Sequence, residues 1–280
     1  MTRNIDERVV TDFGREWAEF DQSEISVSEL KNQFEKYFSI FPMTSLSDQS
    51  QGFDLGCGSG RWARFIAPEV GILHCIDPSD AALSVAKKNL MEYDNCQFHH
   101  AGVDDIPLND NGMDFAYSLG VLHHVPDTAA GIRQCVLKLK PGAPLLLYLY
   151  YNFDNRPAWY RYIWKITNIF RAIISTLPYW LKYSLCQLIA ALIYLPLARL
   201  ALLLEKMGIE VKNMPLSEYR KKSFYTMRTD ALDRFGTRLE QRFSRVQIKK
   251  MMEDAGLENI RFSDNPPYWC AVGYKIDSTF

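Results

Sequence analysis

Three glycines in five positions, Gly56, Gly58 and Gly60, follow a short apolar run in the stretch FDLGCGSG (53–60). A glycine turn between a strand and a helix lets the backbone approach a ligand closely, and the helix N-terminus favours negative charge. The dinucleotide fingerprint GxGxxG would place its third glycine at position 61, where this chain has Arg61. Asp54 lies two positions before the first glycine. Its carboxylate would repel a pyrophosphate and suits a ligand with a cationic part. Asp77 follows at the end of the next apolar run, where a carboxylate can accept hydrogen bonds from ribose hydroxyls. These residues describe a cradle for an adenosine carrying an amino acid, and they disfavour a nicotinamide dinucleotide.

A second set of residues could handle protons or bind a co-substrate. His123 and His124 sit in GVLHHVPD (120–127), just past the fourth expected strand. A histidine there can serve as general base for a hydroxyl acceptor, and His124 also suits a structural packing role. His99 and His100 end the third strand and read as loop histidines. Tyr148, Tyr150 and Tyr151 crowd the end of the fifth strand, where alternation sends neighbours to opposite faces. Trp17 and Phe20 lie at helical spacing near the N-terminus, placed either to cap a cofactor or to dock a helix. Tyr225 and Arg228 stand out in a charged segment (223–244), and Tyr268 and Trp269 begin the last strand, one ring expected toward a pocket and the other toward the core.

The elements that must position these groups alternate. Strands are expected at 52–55, 71–76, 96–100, 113–118 and 143–151, with helices at 61–68, 79–90 and 128–139 between them. That order reads as βαβ units and a parallel sheet covered on both faces. A helical cap precedes it, in which Ser28 is the expected N-cap of a helix carrying Leu30, Phe34 and Phe38. After residue 151 the strand pattern stops and long apolar helical stretches run to about 225. A helix from 244, with Gly256 at its C-terminal end, and two closing strands complete the core. The expected organisation is a helical N-terminal cap (1–50), a cofactor-binding core (51–151), a helical insertion (152–225) and a C-terminal part of the core (226–280).

With DLGCGSG (54–60), IDPS (76–79), DDIPL (104–108), DFAYSLGVLHHVPD (114–127) and KPGAPLLLY (140–148) in this order, the chain resembles the class I S-adenosylmethionine-dependent methyltransferases. The likeness is greatest to the small-molecule enzymes of the ubiquinone and menaquinone biosynthesis type. It implies an α/β fold with a doubly wound seven-stranded sheet of order 3-2-1-4-5-7-6 whose last strand is antiparallel. By this resemblance Gly56, Cys57, Gly58 and Gly60 would cradle the methionine part of S-adenosylmethionine, with Asp54 holding the loop or the ligand's amino group. Asp77 would bind the ribose, Pro78 or Ser79 would line the adenine, and Ser118 or Leu119 would face the sulfonium. Gly102 stands where the family commonly has Asp, so Asp104 or the backbone of Val103 would supply that adenine contact. The resemblance implies transfer of a methyl group to a small molecule, on oxygen in the leading reading. The other reading is a scaffold protein that retains the cofactor fold.

Bulk composition sets the remaining bounds. The 280 residues carry 32 basic and 33 acidic side chains, which argues against nucleic acid as a partner. Six cysteines without a CxxC pair suggest reduced thiols and no metal site. The polar N-terminus lacks a signal peptide, so the expected location is cytoplasmic, with a membrane's inner face as an extension. The insertion is basic, and it contains sixteen uncharged residues (183–198) interrupted by Pro196. That run is too short and broken for an expected membrane span. The insertion is left as a lid over the substrate pocket, a homodimer interface, or an element lying on an anionic membrane surface.

Overall fold

The computed structural model describes residues 3–277, which divide into two compact units. The first comprises residues 3–22, 30–152 and 239–277 among those described. Its centre is a seven-stranded sheet built from β1 (Gln51–Leu55), β2 (Ile72–Asp77), β3 (Cys96–His100), β4 (Phe115–Leu119), β5 (Pro144–Tyr148), β6 (Leu257–Phe262) and β7 (Cys270–Lys275). The strand order is β3-β2-β1-β4-β5-β7-β6, and β7 runs antiparallel to both of its neighbours. Order and polarity are those the resemblance implied.

The central strands are buried along nearly their whole length because both faces are covered. Alternation in β5 shows how: Leu145 and Leu147 enter one core and Leu146 the other, all at 0 % exposure. Each buried leucine contributes roughly 1.5–3 kcal/mol to folding. On one face lie α5 (Thr128–Lys138) and α10 (Arg245–Asp254). The other face is covered by α2 (Val27–Tyr37) from Leu30 onward, α3 (Ala63–Ile66) and α4 (Asp80–Asn89). The first helix, α1 (Glu7–Glu19), starts at Asp6, whose carboxylate accepts from the Arg8 and Val9 amides. Gly14 allows α1 to lie against Ser79 at the start of α4.

Three details differ from the expectation. The helix expected to begin after Ser28 starts at Val27, and the Ser26 hydroxyl accepts from the Glu29 amide at 3.2 Å. The long fifth strand ends at Tyr148, and Tyr151 forms a separate bridge with Phe243. Tyr268 and Trp269 do not divide between pocket and core: both are buried in one cluster with Phe262 and Tyr151.

The second unit comprises residues 23–29 and 153–238. Its helices are α6 (Ala158–Ile174), α7 (Tyr179–Ile189), α8 (Leu195–Lys206) and α9 (Phe224–Gly236). Both α6 and α7 pack on α9, which buries Met227, Ala231 and Leu232. Glu29 holds the start of α9, accepting from the Ser223 amide and from the Thr226 hydroxyl at 2.7 Å. The apolar run expected to be short and broken is instead one continuous helix, Tyr179–Lys206, of 28 residues. A π-helical turn, Ala190–Tyr194, joins α7 to α8 directly ahead of Pro196. Widening the ladder there accommodates the proline, whose nitrogen cannot donate. By length and composition this helix could cross a membrane, and only 22 % of its most apolar stretch is buried. Its packed face, however, abuts a helix bearing Arg228, Asp230, Asp233 and Arg234.

Candidate functional site

Asp54 is the fourth residue of β1, and the register places it between Cys75 of β2 and Tyr117 of β4. It is 1 % exposed, and its Oδ2 has no hydrogen-bond partner among the described residues. Burial raises its pKa well above the carboxylate range, with the Tyr117 hydroxyl and Arg61 pulling the other way. A buried acceptor without a donor is costly. A cationic donor laid against it would offset that cost.

Beyond Asp54 the chain folds back over the end of β2. The Gly56 and Cys57 amides both donate to Ile76 O, at 2.7 and 3.1 Å. The Gly58 amide donates to Asp77 Oδ2 at 2.9 Å, and the Ser79 amide donates to Asp77 Oδ1 at 2.9 Å. Asp77 thereby ties the glycine loop to the start of α4, which Ser79 caps by accepting from the Ala82 amide. Burial pushes the Asp77 pKa up to about 6, against the pull of its two backbone donors.

Gly56, Gly58 and Gly60 all have positive φ, of 76°, 53° and 75°. The chain's own side chains account for the tightness of this loop. A Cβ on Gly56 would overlap Val121, one on Gly58 would sit 2.8 Å from the Trp17 indole nitrogen, and one on Gly60 would sit 2.8 Å from Leu90. Trp17 of α1 therefore lies across the glycine loop, with the Arg61 guanidinium 5.6 Å from its ring. Phe20 is a core residue at 1 % exposure, because the chain turns inward where α1 ends; of the two readings given for it, this is the docking one and not the cofactor cap.

The remaining residues expected around the adenine and the sulfonium are held within the chain. Asp104 accepts from the Asn4 amide, and the Asn4 side chain pairs with the Asp127 backbone at 2.7 and 2.6 Å. Val103 points into the core against Gly131. Pro78 O accepts from His100 at 2.8 Å. Ser118 donates to Leu55 O at 3.0 Å, and Leu119 is buried beside Tyr148 in the register.

The groups expected to handle protons cluster past β4 and β5. His123 is 0 % exposed, stacks on Tyr150 at 3.8 Å, and has no hydrogen-bond partner at either ring nitrogen among the described residues. Burial, and after it His124 and Arg242, holds its pKa well below the usual imidazole value. His124 Nδ1–H donates to Leu239 O at 2.7 Å, a packing role. Tyr148 meets Tyr37 edge-on at 5.0 Å, and burial raises its pKa far above the phenol range.

Sequence reasoning missed the strap that holds this cluster. Residues 239–243 run from the His123 loop to the exit of β5: the Gln241 amide donates to His123 O, and the Phe243 amide donates to Tyr150 O. Glu240 and Arg242 pair at 2.7 Å with side chains 1 % and 11 % exposed, and the guanidinium lies 5.0 Å from the Tyr150 ring. Burial opposes the Arg242 charge, but Glu240 outweighs it and the pKa rises. The only sequence signal was two opposite charges two positions apart. Tyr225 and Arg228, singled out from the same segment, belong to α9 of the helical unit, where Arg228 donates to Gln187 Oε1 and the Tyr183 hydroxyl.

Comparison with known proteins bears on this site. Residues 53–147 match the family model described as a methyltransferase domain. Over 100 residues the chain is 32 % identical to phosphoethanolamine N-methyltransferase 2 of Caenorhabditis elegans, covering 35 % of this chain and 23 % of that protein. Over 91 residues it is 32 % identical to the ubiquinone biosynthesis O-methyltransferase of Aromatoleum aromaticum, covering 32 % and 39 %. The matched part thus spans well under half the length of these curated relatives. Among solved structures, a Thermotoga maritima protein described as a possible histamine N-methyltransferase superposes with a TM-score of 0.53 at 13 % identity, covering 96 % of this chain and 100 % of that one. A chain of the Haloferax volcanii complex between the Trm112 methyltransferase activator and a methyltransferase gives 0.55 at 13 %, covering 99 % and 100 %. Residues 53–147 are thus similar to a methyltransferase domain, and the sheet unit built around them shares the fold of these solved structures.

Proposed function

We propose that this protein transfers a methyl group from S-adenosylmethionine to an oxygen of a small lipophilic or anionic acceptor. The observation that carries the reading is the buried Asp54 carboxyl, whose Oδ2 has no hydrogen-bond partner among the described residues, beside a glycine loop that Asp77 ties down. Both acids suit a cationic adenosyl amino acid. Asp54 would meet the ammonium of the methionine part, the loop would carry its chain, and Asp77 would accept from the ribose hydroxyls. When bound, the sulfonium supplies an electrophilic methyl group for in-line displacement.

The chain's own residues then position and deprotonate. Trp17 excludes water from the glycine loop. His123, kept neutral by burial and by Arg242, accepts the proton that the acceptor hydroxyl loses as its oxygen bonds to the methyl carbon. Arg242 favours negative charge on that oxygen at the moment of transfer. Holding both reactants in line supplies the larger share of the rate enhancement.

The test joins binding to turnover. Calorimetry with S-adenosylhomocysteine is expected to give a clear isotherm that Asp77→Ala weakens by tenfold or more. His123→Asn is expected to retain that affinity while losing on the order of a hundredfold or more in methylation of hydroxylated acceptors. Unaltered affinity in Asp77→Ala would sink the cofactor assignment, and unaltered turnover in His123→Asn would sink the base. The exposed apolar side chains of α6 favour an additional, peripheral contact with the inner face of a membrane. They also favour the second reading, a cofactor-binding scaffold docked there.

A further inference from the structure

Helix α6 is amphipathic the wrong way round for a helix of a soluble core. Trp159, Ile163, Ile166, Phe170 and Ile173 follow one another at the i, i+4, i+7, i+11, i+14 spacing of a single helical face. All are 44–59 % exposed, Tyr162 and Ile169 beside them are exposed further, and no residue of the helix is buried. The opposite face packs on α9 through Trp164, over which Arg234 lies at 5.7 Å, and through Arg171, which donates to Thr237 O at 2.8 Å. The polar side is thus turned in and the apolar side out.

The stripe is not isolated. On the continuous α7–α8 helix of the same unit, Trp180, Leu188, Leu192 and Leu203 are 55–71 % exposed. Exposed apolar faces of this extent mark a surface that another phase or partner covers.

Charge decides what covers it. The helical unit has fourteen Lys and Arg against eight Asp and Glu, a net of +6, whereas the remainder of the chain carries −7. Arg161 and Lys165 are exposed along one edge of the α6 stripe, and Arg199 and Lys206 are exposed on α8. Trp159, Tyr162 and Trp180 are ring types that favour the interface between headgroups and acyl chains. A second copy of a +6 surface would be repelled, whereas an anionic leaflet would be attracted.

We propose that α6 lies in the plane of an anionic phospholipid surface, its Trp159–Ile173 stripe among the upper acyl carbons and Arg161 and Lys165 at the headgroups. This deepens the peripheral contact of the preceding reading and rests on it, but requires neither the cofactor nor methyl transfer.

Vesicle co-sedimentation of the full chain, without cofactor or acceptor, tests it. The protein is expected to pellet with vesicles of phosphatidylglycerol and phosphatidylcholine at low salt, and to stay in solution with phosphatidylcholine alone. Ile166→Asp/Phe170→Asp is expected to reduce binding by roughly tenfold or more, since apolar contact is lost and charge added against an anionic leaflet. Both side chains are exposed, so its circular dichroism, melting and S-adenosylhomocysteine affinity should match the parent; that affinity separates a failure here from a failure of the cofactor assignment. Brominated lipid should quench tryptophan fluorescence in the parent and far less in the double variant. Absence of pelleting with anionic vesicles at low salt overturns the proposal. So does a dimer, seen by light scattering, that the double variant converts to monomer while vesicle binding is unchanged.

Discussion

At the scale of single residues, Asp77, proposed above to meet the ribose, also bears on stability. Its carboxylate is needed ionised to accept from two backbone amides, yet burial raises its pKa from the ordinary 3.8 to about 6. The folded protein therefore binds a proton there more tightly than the unfolded chain does. Unfolding releases that proton between pH 4 and 6, so this residue's contribution is full below the unfolded value and is lost as pH rises through the folded one. The unfolding free energy of the parent minus that of Asp77→Asn should accordingly fall by up to about 3 kcal/mol between pH 4 and pH 7. Urea titrations of both proteins across that range provide the check, and a flat difference would refute the linkage. Asp54 was legible in the sequence because glycines mark where its strand ends, and Asp77 because it closes the next apolar run ahead of Pro78. Glu240 and Arg242 were not, because their burial comes from residues 239–243 lying between two loops more than ninety positions upstream, a tertiary fact with no local signature.

At the scale of elements, the contact between α1 and the glycine loop deserves a direct measurement. A Cβ at Gly58 would demand positive φ from an alanine and would press on the Trp17 indole. Gly58→Ala should cost about 1–3 kcal/mol, part backbone strain and part displacement of the ring. If the ring contact matters, Trp17→Ala/Gly58→Ala should cost less than the sum of the single changes, a coupling readable by denaturation followed by circular dichroism. Strict additivity would assign the whole penalty to the backbone. The βαβ series was readable because buried parallel strands such as β5 are nearly continuous apolar runs, here entered through Gly142 and Pro144; the end of that run, with no such mark, was not. The continuity of Tyr179–Lys206 through Pro196 was not, since a proline inside an apolar run ordinarily ends or kinks a helix and only the π-helical turn ahead of it lets the element proceed. The same holds for Tyr268 and Trp269, whose alternation predicts opposite faces but whose short approach to β7 carries both rings into one core.

At the scale of the molecule, the two units should differ in how they open. Strands β1, β4 and β5 are buried on both faces, whereas α6 buries no residue. Hydrogen–deuterium exchange should find α6 amides opening at least about tenfold faster than those of the three strands. Equal protection would contradict the inverted packing of α6. The helical unit also interrupts the sheet in time. β5 pairs with β7, and the roughly 120 residues between Tyr148 and Cys270 include nearly all of the helical unit. At ribosomal rates of about 5–20 residues per second, the outer edge of Pro144–Tyr148 waits roughly 6–25 s for the strand that closes it. During that interval a nascent chain presents a largely apolar strand with one edge unpaired, together with the exposed stripes of α6 and α7–α8. Yield in a cell should therefore depend on how quickly translation passes from the insertion to the final hairpin, and on which chaperone or surface shelters the chain until it does.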